Sequence, residues 1–369
     1  MNIAVPVNAV DADEVERITT KDLPALVKQI DEECLYPKDV IRAYGAAGAY
    51  GTHTGGVEGP TDLTSAITVM SRAGEVCTST AFCMWCQDAL AWYIFSSDND
   101  YLKTTLGPRV AAGEVLGGTG LSNPMKAING IEPMRLKGEK VEGGYRVKGL
   151  LPWVSNIGDD SYFGIVFHVD VEGEEEPKKV MAVAFAGAEG VKISEDHNFV
   201  AMGGTATCNV QFRDVLIADD FVLADPADAF IKRIRGGFTL LQCGMASGMV
   251  QSSIDLMKQV RPSLGHVNQF LEKQPEDFEA ELADLFAEIA ELAKSPYDPS
   301  NAYFKRVLRA RLKGGEMAVE AAHYAMLHCG ARGYVSHGAA QRRLREAYFV
   351  AIVTPATKQL RKMIAELPE

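Results

Sequence analysis

The hydrophobic pattern changes its period twice along the chain. Residues 12–113 repeat at helical spacing. KDLPALVKQIDEECL is amphipathic, PTDLTSAITVMSRAGEV follows with Pro60 and Thr61 placed to open a helix and Gly74 near its end, and TSTAFCMWCQDALAWYIF is apolar on every side, as a buried helix would be. After Gly113 the period falls to two. MRLKGEKVEGGYRVKGLLPWVSN, DSYFGIVFHVDV, KVMAVAFAG and CNVQFRDVLI alternate apolar and polar positions, with Gly143-Gly144 expected as a hairpin turn and EGEEEPKK as a charged, solvated tip. From about residue 226 the helical period returns. Phe278, Leu282, Leu285, Phe286, Ile289 and Leu292 recur at three- and four-residue spacing between acids, and three more long helical stretches surround them. The pattern predicts an α+β multidomain chain: an N-terminal helical domain (1–113), a middle antiparallel β-barrel or sheet domain (114–225) and a C-terminal four-helix bundle (226–369).

Composition narrows the function. The 369 residues are 47% hydrophobic and 23% charged, with a formal net charge of -12. That balance argues against nucleic acid, whose phosphates need a basic face, and against an anionic membrane surface. No apolar run reaches the roughly 20 residues of a membrane span. The N-terminus lacks a basic, signal-like region, so the expected location is cytoplasmic. Seven cysteines form no disulfide framework. Cys83 and Cys86 have redox-pair spacing but lie within the apolar helix, where two small core thiols are the simpler reading. No His/Cys set has zinc spacing, so no metal site is expected.

Four stretches then carry a resemblance. VAAGEVLGGTGLSNP, YRVKGLLPWVSN, FVAMGGTATCNVQFRDVLIADDFVL and GARGYVSHGAAQRRLREA occur in this order and in the matching structural blocks. Together they resemble the acyl-CoA dehydrogenase superfamily of flavoproteins, over nearly the whole chain from about residue 40. Tyr334, Arg342, Arg345 and Glu346 fall at the family's spacings. The resemblance implies a bound FAD, with FMN possible, whose ring would be lined by Leu121, Ser122, Trp153, Val154 and Ser155. By themselves, Trp153 and Ser155 read as a strand-core aromatic and a turn residue. The resemblance also implies Arg261 and Leu264 for the pyrophosphate, with a solvated helix-end arginine as the alternative reading of Arg261. Gly330 and Gly333 belong to the glycine motif that completes a neighbouring subunit's flavin site, which implies a homo-oligomer, either dimer or tetramer. The implied partner is a small-molecule substrate, an acyl thioester or another organic compound.

The departures are equally specific. The family's catalytic glutamate position is Thr354, and a threonine hydroxyl is too weakly acidic to replace a carboxylate base. The alternative site, the first bundle helix from Gly236 to Ser253, holds no Asp or Glu. Leu327, Ala331, Pro355-Ala356 and Gly203 replace residues that hold the far end of the dinucleotide. Three functions remain open. One is an oxidoreductase with a relocated base, for which His337 and Asp255 are candidates. Another is a monooxygenase or oxidase using reduced flavin and O2, a branch whose histidine position is here Gln87. The third is a non-catalytic flavin- or ligand-binding relative.

Overall fold

The structure, a computed structural model, describes residues 9–194 and 198–368. Among the described residues seven α-helices come first, the first two joined by a π-helical turn (Ile18–Asp22): α1 (Ala12–Arg17), α2 (Leu23–Glu32), α3 (Lys38–Ala46), α4 (Leu63–Val76), α5 (Thr78–Ser96), α6 (Asp100–Thr105) and α7 (Gly107–Ala111). α4 begins after Asp62, whose carboxylate accepts from the Ser65 amide at 2.9 Å, so the cap sits one residue beyond the expected Pro60-Thr61 start. α5 is buried along its entire length, Cys83 and Cys86 included, as its all-round apolar pattern requires. Both thiols are free, and burial drives their pKa values up, so neither is a reactive redox group.

The middle block contains β1 (Gly117–Thr119), α8 (Ser122–Ile128), β2 (Lys137–Val141), β3 (Gly144–Val154), β4 (Tyr162–Val169), β5 (Lys178–Phe185), β6 (Val191–Ser194), β7 (Cys208–Ala218) and β8 (Val222–Ala224). The strand order is β6-β7-β3-β2-β4-β5-β8, with β1 beside β4. The sheet is mixed rather than antiparallel: β1 and β2 both run parallel to β4. An alternating pattern shows which face is buried but carries no information about the direction of a non-local partner. The β2–β3 turn is Glu142-Gly143, one residue earlier than expected, because Gly143 takes the left-handed conformation (φ 77°) and Gly144 already pairs with Val141. The segment between β4 and β5 is the charged tip. One sheet face encloses a core of its own, including Tyr145, Val154, Phe163 and Phe212.

The last block holds α9 (Asp228–Leu241), α10 (Cys243–Asn268), α11 (Pro275–Leu292), α12 (Asn301–Cys329), α13 (Ala339–Ile352) and α14 (Thr357–Glu366). α10 to α13 form the bundle. The expected first bundle helix is interrupted at Gln242, which separates α9 from α10. The bundle, the N-terminal helices and the outer face of β4 and β5 share one continuous core that runs through α5 and α10. No helix among the described residues is long and apolar enough to cross a membrane.

Candidate functional site

Where the three blocks meet, the chain encloses a cavity of about 930 Å³. Its aromatic walls come from α5 (Phe82, Trp85), β3 (Trp153), the β6–β7 loop (Phe199), α9 (Phe238) and α13 (Phe349). Phe82 lies edge-on to Phe349 at 4.7 Å, Trp85 sits 5.1 Å from Phe238, and Trp153 sits 6.1 Å from Phe199. Period two decides the roles of two neighbours in β3. Trp153 turns to the cavity and stays 42% exposed, whereas Val154 points into the sheet's own core at 0%. Val154 can therefore serve a ligand only through its backbone.

The polar lining is mostly hydroxyl, with three cations and an amide at one side. Ser155 Oγ lies 2.7 Å from Thr207 Oγ1, which lies 2.8 Å from Thr205 Oγ1, and Thr205 donates to the Met202 carbonyl at 2.8 Å. Each hydroxyl has one proton. With Thr205 committed to the carbonyl, Thr207 must donate to Thr205 and Ser155 to Thr207. Ser155 therefore faces the cavity as an acceptor. Across the cavity, Ser122 Oγ and Thr354 Oγ1 are 3.1 Å apart. Ser122 opens the short helix α8, and Thr354 sits in the α13–α14 junction. Lys126, Lys358 and Arg361 lie at the α8–α14 side, where Arg361 pairs with Glu316 at 2.6 Å. Among the described residues lining the cavity there is no Asp, Glu or His.

The structure thus brings Leu121, Ser122, Trp153, Ser155 and Thr354 together. It does not bring Arg261, Leu264, Gly330 or Gly333 to them. Arg261 is held in a two-pronged pair with Glu276, both contacts at 2.6 Å, on the outside of the bundle. Within one chain this is the helix-end arginine of the alternative reading, because Glu276 satisfies the fork that a pyrophosphate would need. Leu264 follows on the same helix. Gly330 (φ 58°) ends α12, and Gly333 packs where a Cβ would come within 2.7 Å of Cys329. Both glycines serve chain geometry at a bundle end distant from the lining.

The candidate replacement bases are also elsewhere. His337 is exposed and bonded to Glu32 at 2.8 Å, and Asp255 accepts from Gln251 at 2.9 Å. Gln87 is fully buried and saturated. Its amide donates to the Val110 and Val115 carbonyls, and its carbonyl accepts from the Gly117 amide, all at 2.8 Å. That residue ties α5 to the start of the sheet and does not face the cavity.

Sequence reading missed two residues behind Thr354. Gln242 donates to the Thr354 carbonyl at 2.9 Å, and Arg311 donates to Gln242 at 2.8 Å. A signal for Arg311 existed: it interrupts the apolar stripe Phe304, Val307, Leu308, Ala318 at helical spacing.

Helical N-terminal block, mixed middle sheet and bundle, closing on an aromatic cavity between them, define the architecture of the acyl-CoA dehydrogenases. Comparison with known proteins agrees. The family described as acyl-CoA dehydrogenase, N-terminal domain, matches residues 11–114. The mitochondrial isovaleryl-CoA dehydrogenase of Arabidopsis thaliana is 23% identical over 70% of this chain, and the match spans 64% of that relative's length. The human mitochondrial short-chain specific acyl-CoA dehydrogenase is 23% identical over 94% of this chain and 86% of its own. Butyryl-CoA dehydrogenase from Megasphaera elsdenii superposes with a TM-score of 0.81 at 16% identity, covering 97% of both chains. KijD3, solved with FMN and a dTDP-amino-sugar, gives 0.78 at 16% identity, covering 96% of this chain and 91% of its own. The prolyl acyl carrier protein oxidase AnaB gives 0.76 at 16% identity, covering 97% and 99%. The chain has the acyl-CoA dehydrogenase fold, and its residues 11–114 match that family's N-terminal domain.

Proposed function

We propose that the protein is a flavin-dependent oxidoreductase that does not work as an ordinary acyl-CoA dehydrogenase. The observation that carries this reading is the cavity itself: roomy, aromatic and rich in hydroxyls, with Thr354, the position that the resemblance gives to the family's carboxylate, in its lining and no carboxylate or histidine among the described lining residues. The cavity fits the ring half of a flavin. Its volume suits a tricyclic ring with a small substrate, Trp153 offers a broad apolar face, and Ser155 and Ser122 offer polar contacts for the ring's edge. FAD is the cofactor this reading implies, and FMN suits a chain whose Arg261 is tied to Glu276.

When bound, the flavin supplies a two-electron acceptor, or in its reduced form a donor toward O2. The chain supplies the rest. Trp153 and the aromatic walls exclude water and set the ring's plane. Ser155, an acceptor at the end of its hydroxyl chain, holds a donor on the ligand. Thr354 and Ser122 keep a neutral pair where a dehydrogenase would hold a base, so no proton is drawn from a substrate carbon by this chain's lining. That favours a substrate that needs no strong base: an oxidase or monooxygenase reaction, or oxidation of a compound already acidic. The substrate is a small organic molecule, with acyl thioesters included as binders.

The protein works as a homo-oligomer in this reading. Phe270 (82% exposed), Tyr334 (85%) and Ile352 (65%) leave large apolar side chains bare near bundle-helix ends, the kind of surface an assembly covers. The test is spectroscopic. Protein reconstituted with FAD or FMN should show a bound flavin spectrum. Under anaerobic conditions, acyl-CoAs should leave it oxidised, while chemically reduced flavin in the protein should consume O2. Failure to bind either flavin removes the reading, and rapid anaerobic bleaching by a saturated acyl-CoA replaces it with an ordinary dehydrogenase.

A further inference from the structure

Arg311 lies mid-way along α12 at 1% exposure, and among the described residues no carboxylate pairs with it. Burying a guanidinium without a counter-ion is costly unless its donors are all satisfied. Its satisfaction here has a pattern. Nε donates to Gln242 Oε1 at 2.8 Å, and an Nη2 proton goes to the Val350 carbonyl. Val350 lies in the last turn of α13, whose carbonyls lack helical partners and form the negative end of the helix dipole. Ala351, its neighbour, has its carbonyl satisfied by the Thr357 hydroxyl at 3.0 Å. The Thr354 carbonyl takes the Gln242 amide at 2.9 Å.

The orientation of Gln242 is forced. Arginine only donates, so Gln242 must turn its oxygen toward Arg311, and its NH2 is then left for the Thr354 carbonyl. The helix break at Gln242 is what aims this side chain across the bundle. Space for the guanidinium comes from Gly315, where a Cβ would stand 2.8 Å from Nη1. Burial pulls the Arg311 pKa down to about 10, so it stays charged at neutral pH. One buried cation thus holds both ends of the segment that forms the acid-free wall of the cavity.

We propose that Arg311, acting through Gln242, is the positioning residue that fixes the Val350–Thr354 wall and so sets the cavity's shape for its ligand. The ligand assay below rests on the flavin reading, but the position of the wall does not. Gln242→Glu separates the two roles. A glutamate keeps a partner for Arg311 and gives it a counter-charge, but an ionised carboxylate cannot donate to the Thr354 carbonyl. The measurements are thermal unfolding, hydrogen exchange of the amides across 350–357 in protein without ligand, and titration with FMN and FAD. Gln242→Glu should unfold at or above the wild-type temperature, yet exchange across 350–357 should quicken roughly tenfold and flavin affinity should fall by a similar factor, as expected for one lost hydrogen bond. Arg311→Met should show the same local loosening with a lower unfolding temperature. Leu308→Ala, a core control one turn away on α12, should lower the unfolding temperature without selective loosening of 350–357. Wild-type exchange across 350–357 in a folded Gln242→Glu protein overturns the proposal. If the wild type binds neither flavin, the cofactor reading falls while the exchange comparison still decides the wall.

Discussion

The two walls of the cavity differ in chemistry. The sheet wall, built by β1, β3 and the loop before β7, presents Trp153 outward, Val154 inward, and a hydroxyl chain from Ser155 to the Met202 carbonyl. The bundle wall, built at the α9–α10 break and the α13–α14 junction, carries no Asp, Glu or His among the described lining residues. Thr354, which the proposed reading puts at the base position, is held by Gln242 and by Ser122. In the proposed reading, binding and chemistry are carried by separate elements, and one can be lost while the other is kept.

The sharpest way to break this contrast is to restore the base. Thr354→Glu with Pro355→Gly should give measurable flavin reduction by acyl-CoAs, because general-base catalysis contributes roughly 10² to 10⁴ in rate. Anaerobic stopped-flow absorbance against several chain lengths measures it. No gain in a folded, flavin-loaded double variant would mean that the bundle wall has lost more than its carboxylate.

The next effect concerns α5, the floor common to both walls. His53 is wholly buried beside Asp88, and burial lowers its pKa from 6.5 to about 4. A group with a depressed folded pKa contributes stability that is present above its unfolded value and lost as pH falls through the folded one. Unfolding free energy should therefore fall by roughly 2–3 kcal/mol between pH 6.5 and pH 4 from this group. His53→Gln should remove that part of the slope in urea titrations. Glu75, raised to about 7 chiefly by burial, runs the opposite way: its contribution is full below pH 4.5 and lost as pH rises through 7. The two groups can be separated by their windows at either end of the range.

On the sheet wall, Trp153→Ala should weaken FAD or FMN binding roughly ten- to a hundredfold, through loss of a large aromatic contact. Fluorescence quenching reads this directly, and unchanged affinity would place the ring elsewhere. The smallest expected effect is at Ser155. Ser155→Ala removes one neutral hydrogen bond and should cost no more than about tenfold in affinity, with the bound flavin's absorbance shifted. A larger loss would mean that the hydroxyl chain carries more than orientation.

Much of this was legible without coordinates. The period of the hydrophobic pattern determined the three blocks and the buried character of α5, because burial must follow 3.6- or two-residue repeats whatever the partner. Trp153 and Thr354 could be singled out because they sit in ordered local motifs, and the structure places both in the cavity lining. Strand direction was not: β2 and β4 pair in parallel through a long-range contact that alternation does not encode. The sequence around Arg261 does not show its pairing with Glu276, fifteen residues on. The hydrogen-bond path from Arg311 through Gln242 to Thr354 spans more than a hundred residues of chain. Its first residue was visible as a flaw in an apolar stripe, but only the packing of α12 against the α9–α10 break showed what that charge holds. Local sequence determines which side chains are buried, since that depends on each residue's own periodicity. Which buried polar groups meet depends on how distant elements cross, and only the tertiary structure decides it.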